Sequence, residues 1–386
     1  MTGPELESSG RNYLGFLEGD DGYCSFIRFT GEQLRVYGED PLFRNLSMCS
    51  SGVYLSLVTD GDRLSFDCRT LELVSQLLPA IAELGWDGVK EIIRGLSKKI
   101  EQGAPLPRQR EKFDLVTDDG QRISRMPKNG HLSFEFRNCS RRAMKLRLYF
   151  PVFPYVALRR LESNGRLEPG TATLPRILCL GDSITQGFNA VHPSLTWTSR
   201  LADLLGVDAL NQGVGGYYFD AASLEGLEGL AREGPSRPAL VTVAYGTNDW
   251  DLVPGLSTLR ERARAYFARL AGLFPGVPAY VLTPIWRGDL DKPKACGSFD
   301  EVARAIAEEA GRYPGNRVVD GLSIPIQDRK YFQDNWLHPN EEGFRIMADR
   351  LFCAIGPARA AEPGSCDGSD VASPGSGLPV AAPAPR

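Results

Sequence analysis

Arg176–Asn189 reads RILCLGDSITQGFN, a short apolar run broken by Gly-Asp-Ser-Ile-Thr. Ile177, Leu178, Cys179 and Leu180 have the pattern of a strand buried on both faces, and the residues after Gly181 carry turn chemistry and then helix-compatible side chains. Ser183 is therefore expected at the carboxyl end of a strand, where the loops of an open α/β sheet form the ligand crevice. A hydroxyl there can be a nucleophile or can cap the helix that follows, and this stretch alone leaves both open.

Downstream of it the pattern repeats. Apolar runs at Ile177–Leu180, Val207–Leu210, Leu240–Tyr245, Ala279–Leu282 and Arg317–Val319 alternate with helical patterns at Trp197–Leu205, Asp220–Arg232, Thr258–Leu273, Phe299–Gly311 and Glu341–Ile355. Repeated strand–helix units of this length imply a parallel five-stranded sheet between two helical layers, with right-handed crossovers. Pro357–Arg386 is rich in Pro, Ala, Gly and Ser and is expected to be disordered.

Upstream the period is two. Val53, Leu55 and Leu57 alternate with Tyr54, Ser56 and Val58, Asp60-Gly61-Asp62 turns, and Leu64, Phe66 and Cys68 alternate again, which reads as a hairpin with one buried face. Leu71, Val74, Leu77, Leu78, Ile81 and Leu84 change to helical spacing, and a helical insertion is expected at about 71–102. Strands resume at Phe113–Val116, His131–Phe136, Lys145–Phe150 and Tyr155–Leu161. Residues 1–168 are read as an all-β sandwich carrying that insertion. Ser163–Pro175 has linker composition, 169–175 is taken as the link proper, and 176–356 as the second domain.

Composition narrows the function. A chain of 386 residues with 42% hydrophobic side chains suits two domains. A net charge of -4 without a dense Lys/Arg stripe gives no footprint for nucleic acid or an anionic membrane, so a small neutral or modestly polar partner fits best. The first residues, MTGPELESSGRNYLG, lack a basic region and an apolar core, and the expected location is cytoplasmic. Cys24, Cys49, Cys68, Cys139, Cys179, Cys296, Cys353 and Cys366 stand singly, which argues for reduced thiols rather than a disulfide frame or a zinc site. No metal or other cofactor is expected.

Each strand end carries a polar or glycine cluster: Gly181-Asp182-Ser183, Asn211-Gln212-Gly213-Val214-Gly215-Gly216, Gly246-Thr247-Asn248-Asp249 and Asp334-Asn335-Trp336-Leu337-His338-Pro339. Together they complete a chemical set. A serine needs a base, the base needs a group that fixes its tautomer, and the developing oxyanion needs donors. Of three histidines, His338 suits the base; His131 falls in a predicted strand of the β-domain, and His192 in a loop near the site entrance. The Ser183 and Gly213 N–H groups and the Asn248 side-chain amide supply three donors for the oxyanion.

Ser183 in GDSIT, Gly213 in NQGVGG, Asn248 in GTND and His338 in LHPN resemble the four motifs of the SGNH hydrolases, the GDSL-type esterase and lipase superfamily, in the family's order over Arg176 to about Ile355. The layout, the Tyr245–Trp250 run and Thr283–Arg287 resemble bacterial members with a β-sandwich ahead of the catalytic domain. The resemblance implies a flavodoxin-like three-layer α/β fold preceded by a jelly-roll-like β-sandwich, and metal-free serine ester hydrolysis or acyl transfer. One position departs from the pattern. The family's acid stands three residues before the histidine, where this chain has Asn335, with Asp334 one residue further back. Either the Asn335 carbonyl orients the imidazole in the family's register, or an extra residue bulges the loop so that Asp334 reaches it.

Tyr217, Tyr218, Trp250, Trp286 and Arg287 follow strand ends as candidates for the substrate pocket, with sealing of the sheet's edge as the alternative for the aromatics. Arg287 is the candidate ligand for a carboxylate or phosphate. Asp182 and Asp249 are read as loop-fixing acceptors. The leading expectation is a serine esterase acting on a small O-acyl ester of a sugar or related metabolite. An acyltransferase to an alcohol, amine or thiol is the alternative, and a carbohydrate-binding module with a vestigial site is the third.

Overall fold

Alternation along Arg176–Gly181 decides how the carboxy-terminal half is layered. In a computed structural model of the protein, which describes residues 1–71, 112–170, 174–232, 234, 236–292, 294–334 and 336–356, Ile177 and Cys179 pack on one side of this strand and Leu178 and Leu180 on the other. Both faces are buried, as a parallel strand between two helical layers requires.

Among the described residues the amino-terminal part holds eleven antiparallel strands: β1 (Gly10–Arg11), β2 (Gly15–Glu18), β3 (Cys24–Ile27), β4 (Tyr54–Thr59), β5 (Arg63–Leu71), β6 (Phe113–Thr117), β7 (Arg122–Arg125), β8 (His131–Glu135), β9 (Met144–Tyr149), β10 (Tyr155–Ser163) and β11 (Leu167–Pro169). One sheet runs β1-β4-β9-β6-β7 with β11 on β4, the other β2-β3-β10-β5-β8. Leu55, Leu57, Leu146 and Leu148 of the first meet Leu64, Phe66, Phe134 and Leu158 of the second in one core.

The expected hairpin over residues 53–68 is not formed. β4 and β5 lie in different sheets, and Asp60-Gly61-Asp62 is the corner between them. Alternation reports one buried face per strand, and two facing sheets satisfy it as well as one hairpin does. Leu167–Pro169 likewise pairs with β4 rather than serving as linker. The anticipated insertion, apart from Leu71 in β5, and the tail at 357–386 lie outside the described residues.

Three short helices, α1 (Gly3–Ser9), α2 (Gly31–Tyr37) and α3 (Pro41–Ser47), also interrupt the expected all-β region. Seven residues each are too few to display a helical period, but their caps are visible: Thr30 and Gln33 form a capping box on α2, and Asp40 caps α3 ahead of Pro41. Phe29, Tyr37, Leu46 and Cys49 join the core of the carboxy-terminal domain, in a cluster with Leu180, Leu210 and Tyr217.

That domain is built on β12 (Arg176–Gly181), β13 (Asp208–Gly213), β14 (Pro238–Ala244), β15 (Ala279–Leu282) and β16 (Asn316–Val319), all parallel in the order β13-β12-β14-β15-β16. This flavodoxin-like order puts a topological switch beside β12. The helices are α4 (Ser183–Gln186), α5 (Trp197–Leu205), α6 (Glu228–Ala231), α7 (Thr247–Leu252), α8 (Leu256–Leu273), α9 (Phe299–Ala310) and α10 (Glu341–Ile355). Trp197 and Leu201 of α5 and Phe344, Met347 and Leu351 of α10 cover the Ile177 face; Tyr266, Phe267 and Ile306 of α8 and α9 cover the Leu178 face. The helix expected over Asp220–Arg232 is instead a 3₁₀ turn at Ala221–Leu224 and the short α6. Gly226 between them is left-handed, and the Thr30 hydroxyl donates to the Glu225 carbonyl there. No helix among the described residues is long and apolar enough to cross a membrane.

Candidate active site

Asp182 ends the turn after β12 by accepting the Ile184 N–H at 2.9 Å, which places Ser183 at the first position of α4. A first-turn N–H has no acceptor within its own helix, so the Ser183 N–H points outward as a donor. Burial pushes the Asp182 carboxyl up to about 7, the Ile184 N–H opposes this, and the charge of Asp249 adds to it. Asp249, raised to about 7 by its own burial, accepts the Phe219 N–H at 3.1 Å. Both acids therefore fix loops, as read from the sequence.

His338 lies across the edge of the sheet with Nε2 at 2.9 Å from Ser183 Oγ and Nδ1 at 2.6 Å from Asp334 Oδ2. An ionised carboxylate only accepts, so Nδ1 carries the proton and Nε2 faces the serine as acceptor. Asp334 Oδ1 receives the N–H groups of Trp336, Leu337 and His338 at 3.2, 2.9 and 3.0 Å. Burial opposes ionisation of Asp334, but His338 and these backbone donors outweigh it and hold the carboxyl well below its ordinary range. The Gln333 N–H donates to the His338 carbonyl at 2.9 Å, closing the loop from 333 to 338. This is the bulged alternative: the carboxylate four residues before the histidine occupies the Nδ1 position, while Asn335 lies outside the described residues. Ser183, His338 and Asp334 are 4%, 3% and 0% exposed, so the line of three is shielded from bulk water.

The donors for an oxyanion are arranged differently from expectation. The Gly213 N–H is taken by Asn211 Oδ1 at 2.9 Å, and a Cβ on Gly213 would lie 2.2 Å from Gln186 N, so this glycine is required for packing beneath α4. Gly216, three residues on, is half-buried in the left-handed region at φ 78°, and its N–H has no protein acceptor among the described residues. The next carbonyl, that of Tyr217, accepts one proton of the Asn248 amide at 2.9 Å, which orients that amide beside the Gly216 turn and leaves its second proton available. The repeated glycines of NQGVGG hid this distinction, because spacing alone does not tell a packing glycine from a donor.

Residues 179–346 match the model of the GDSL-like Lipase/Acylhydrolase family. The carboxy-terminal domain belongs to the SGNH hydrolase superfamily. The chain is an SGNH-type hydrolase or acyltransferase. Solved structures share the whole layout: a salicylyl acyltransferase, SsfX3, from a tetracycline biosynthetic pathway is 17% identical, with 90% of this chain and 95% of that one covered at a TM-score of 0.68. A putative GDSL-like lipase from Bacteroides ovatus is 18% identical, with 92% and 96% covered at 0.67. A family two carbohydrate esterase from Cellvibrio japonicus is 15% identical, with 91% and 95% covered at 0.57. At these identities the likeness is one of fold. No curated protein matches the sequence.

Several residues expected to line the pocket of the SGNH domain have other work. Arg287 is 2% exposed, bound to Asp289 through Nε at 2.6 Å and Nη2 at 3.1 Å and to Asp251 through Nη1 at 3.0 Å, between the rings of Trp250 and Trp336. Its fork is already filled by the protein's own carboxylates, which corrects the reading of it as an anion ligand. Trp250 is buried against Phe299, its indole N–H bonded to the Gly297 carbonyl, and Tyr217 is buried with its hydroxyl on Asp220. These two seal the edge. Trp286, half-buried on Phe332, and Tyr218, stacked on Tyr217, remain partly open. His131 is on the sandwich surface with Asp67, and His192 bonds Asp114 and Ser124 of the sandwich rather than reaching Ser183.

Sequence reasoning missed the aromatic neighbours of the base. Phe188 follows α4 and lies 5.3 Å from the His338 ring, and Phe153, from the loop between β9 and β10, lies 4.6 Å from Phe188. Phe43 of α3 packs on Tyr217 and comes within 3.5 Å of the Cβ position of Gly216. No local signal marks Phe43 and Phe153, which meet the site only through domain packing, and Phe188, although close to Ser183 in sequence, meets His338 only through the fold of the carboxy-terminal domain.

Proposed function

We propose that the protein is a serine esterase cleaving a small O-acyl ester, with a sugar or related metabolite as the alcohol, through an acyl-enzyme on Ser183. The observation that carries this reading is the unbroken line from Ser183 Oγ to His338 Nε2 at 2.9 Å and from His338 Nδ1 to Asp334 at 2.6 Å. Ser183 Oγ attacks the ester carbonyl and passes its proton to His338 Nε2, while Asp334 stabilises the imidazolium. The Ser183 N–H, the Gly216 N–H and the free proton of the Asn248 amide hold the tetrahedral oxyanion. His338 then protonates the departing alcohol. In the second half a water attacks the acyl group with His338 as base, the acid leaves, and Ser183 regains its proton.

Acyl transfer to an alcohol, amine or thiol uses the same residues and differs only in what attacks the acyl-enzyme. A neutral residue in place of the acid would weaken the base and favour a competing acceptor over water, and the Asp334 contact supplies that charge, so hydrolysis is the better supported outcome. Release of p-nitrophenol from p-nitrophenyl acetate tests the core of the reading. Wild type is expected to exceed Ser183→Ala by at least about 10³-fold. Equal rates above background would remove Ser183 from the role. Mass spectrometry of the acyl-enzyme with an acceptor panel separates transfer from hydrolysis, and the expected product is the free acid alone.

A further inference from the structure

β13 is an edge strand, paired only with β12 among the described strands, and its outer carbonyls are not left to water. Arg28, just past β3 of the sandwich, donates from Nη1 to the Asn211 carbonyl at 2.8 Å and to the Gly213 carbonyl at 3.1 Å. Its Nε donates to the Cys49 carbonyl at 2.6 Å and its Nη2 to the Leu46 carbonyl at 3.2 Å. The side chain is 1% exposed and faces four carbonyls with no carboxylate among its bonds. Burying a guanidinium without a counter-ion is costly, and burial lowers its pKa to about 10. Apolar packing would join two domains at less cost, which points to a use for this cation's fork of donors.

The carbonyls it grips belong to the segment that shapes the site. Asn211 is a clasp: its Nδ2 donates to the Thr185 carbonyl of α4 at 2.7 Å, and its Oδ1 receives the Gly213 N–H. Gly213 leads directly into the turn that presents Gly216. Arg28 thus holds the backbone from which both the nucleophile helix and the oxyanion loop are set. We propose that Arg28, supplied by the amino-terminal domain, is a positioning residue for the oxyanion loop, so that the sandwich completes the catalytic geometry instead of merely adjoining it. This rests on the reading of Ser183 as nucleophile and of the 213–216 segment as the oxyanion loop.

The test compares Arg28→Lys, Arg28→Met and Tyr54→Phe in the full chain with p-nitrophenyl acetate. Tyr54 bonds Asp208 at the opposite end of the same strand, so its variant loosens domain docking away from the site. Arg28→Met is expected to lose about 100-fold in kcat and Arg28→Lys about tenfold, with KM within threefold of wild type, because a small misplacement of donors acts on the transition state. The inhibition constant of a boronate that adds to Ser183 should rise in parallel with the loss in kcat/KM. Tyr54→Phe should lower the melting temperature and keep kcat. Folded Arg28 variants with kcat within twofold of wild type would overturn the proposal, as would an equal loss of kcat in Tyr54→Phe. If Arg28→Met does not fold, Arg28→Lys decides by the same criterion. Ser183→Ala in the same assay separates the two levels: its inactivity alongside normal Arg28 variants defeats only the role of Arg28, whereas its full activity defeats the catalytic reading itself.

Discussion

The His338 Nδ1–H donates to Asp334 Oδ2 at 2.6 Å, although Asp334 precedes the histidine by four residues rather than the three of the SGNH pattern. The extra residue is absorbed by a loop closed between the Gln333 N–H and the His338 carbonyl, and Asp334 Oδ1 gathers three successive N–H groups inside it. Both carboxylate oxygens are thereby fixed, one on the loop and one on the base.

This arrangement predicts that Asp334→Asn lowers kcat by about 10³–10⁴-fold, since the amide can present the wrong tautomer to His338 and carries no charge. Asn335→Ala should remain within about threefold of wild type. Steady-state kinetics on both variants check this, and a larger loss for Asn335→Ala than for Asp334→Asn would return the acid's role to the family register.

The two glycines of the β13 loop should fail in different ways. Gly213→Ala forces a Cβ to within 2.2 Å of Gln186 N, so loss of folding is the expected result, read by circular dichroism and melting. Gly216 has room for a Cβ, but its φ of 78° strains any other residue. Gly216→Ala should fold with a modest loss of stability and a kcat reduced about tenfold or more as the N–H shifts. Asn248→Ala should lose about 10²–10³-fold in kcat with little change in KM, as for removal of one oxyanion donor.

Arg287 should matter for stability and not for recognition of charge. Arg287→Met removes the buried fork and leaves Asp289 and Asp251 with Lys294, and it is expected to cost about 2 kcal/mol in chemical denaturation. The ratio of KM values for a carboxylated and a neutral ester should stay within twofold of wild type. A selective rise in KM for the carboxylated ester would restore Arg287 to substrate binding.

Domain docking should respond to pH through His192. Its hydrogen bond to Asp114 raises the imidazole above its ordinary 6.5, burial works against this, and the charges of Asp114 and Glu341 add to it. Because the folded pKa exceeds the unfolded one, the stabilisation is complete below about 6.5 and is lost as pH rises through the folded value. Wild type should therefore melt above His192→Gln at pH of about 5.5, with the gap narrowing as pH rises above the ordinary histidine range. A gap independent of pH would exclude protonation of His192 as its cause.

Five parallel strands, their order of appearance, Ser183 at a strand end and His338 as its partner were all legible in the sequence. Each rests on a local pattern: an apolar run buried on both faces, a turn after it, a helix of four turns. Six of the sandwich strands, β4, β5, β6, β8, β9 and β10, were legible singly from their alternation, but their pairing was not, because β4 and β5 bury one face whether they form a hairpin or face each other. The helices α1, α2 and α3 were too short for a period to show, although Thr30 with Gln33 marks one of them.

What the sequence determined by itself was the chemistry available along one edge of one sheet, since residue type and strand register are local properties. Tertiary structure alone decided which of those groups meet. The closing of the 333–338 loop selects Asp334, the Asn211 side chain takes Gly213 out of the donor set, and the pairing of Arg287 with Asp251 and Asp289 fills a fork that looked free. The same holds for Arg28, two of whose four partners are 183 and 185 residues away along the chain. Hydrogen bonds of that range depend on how two domains pack, and no spacing within either domain encodes them.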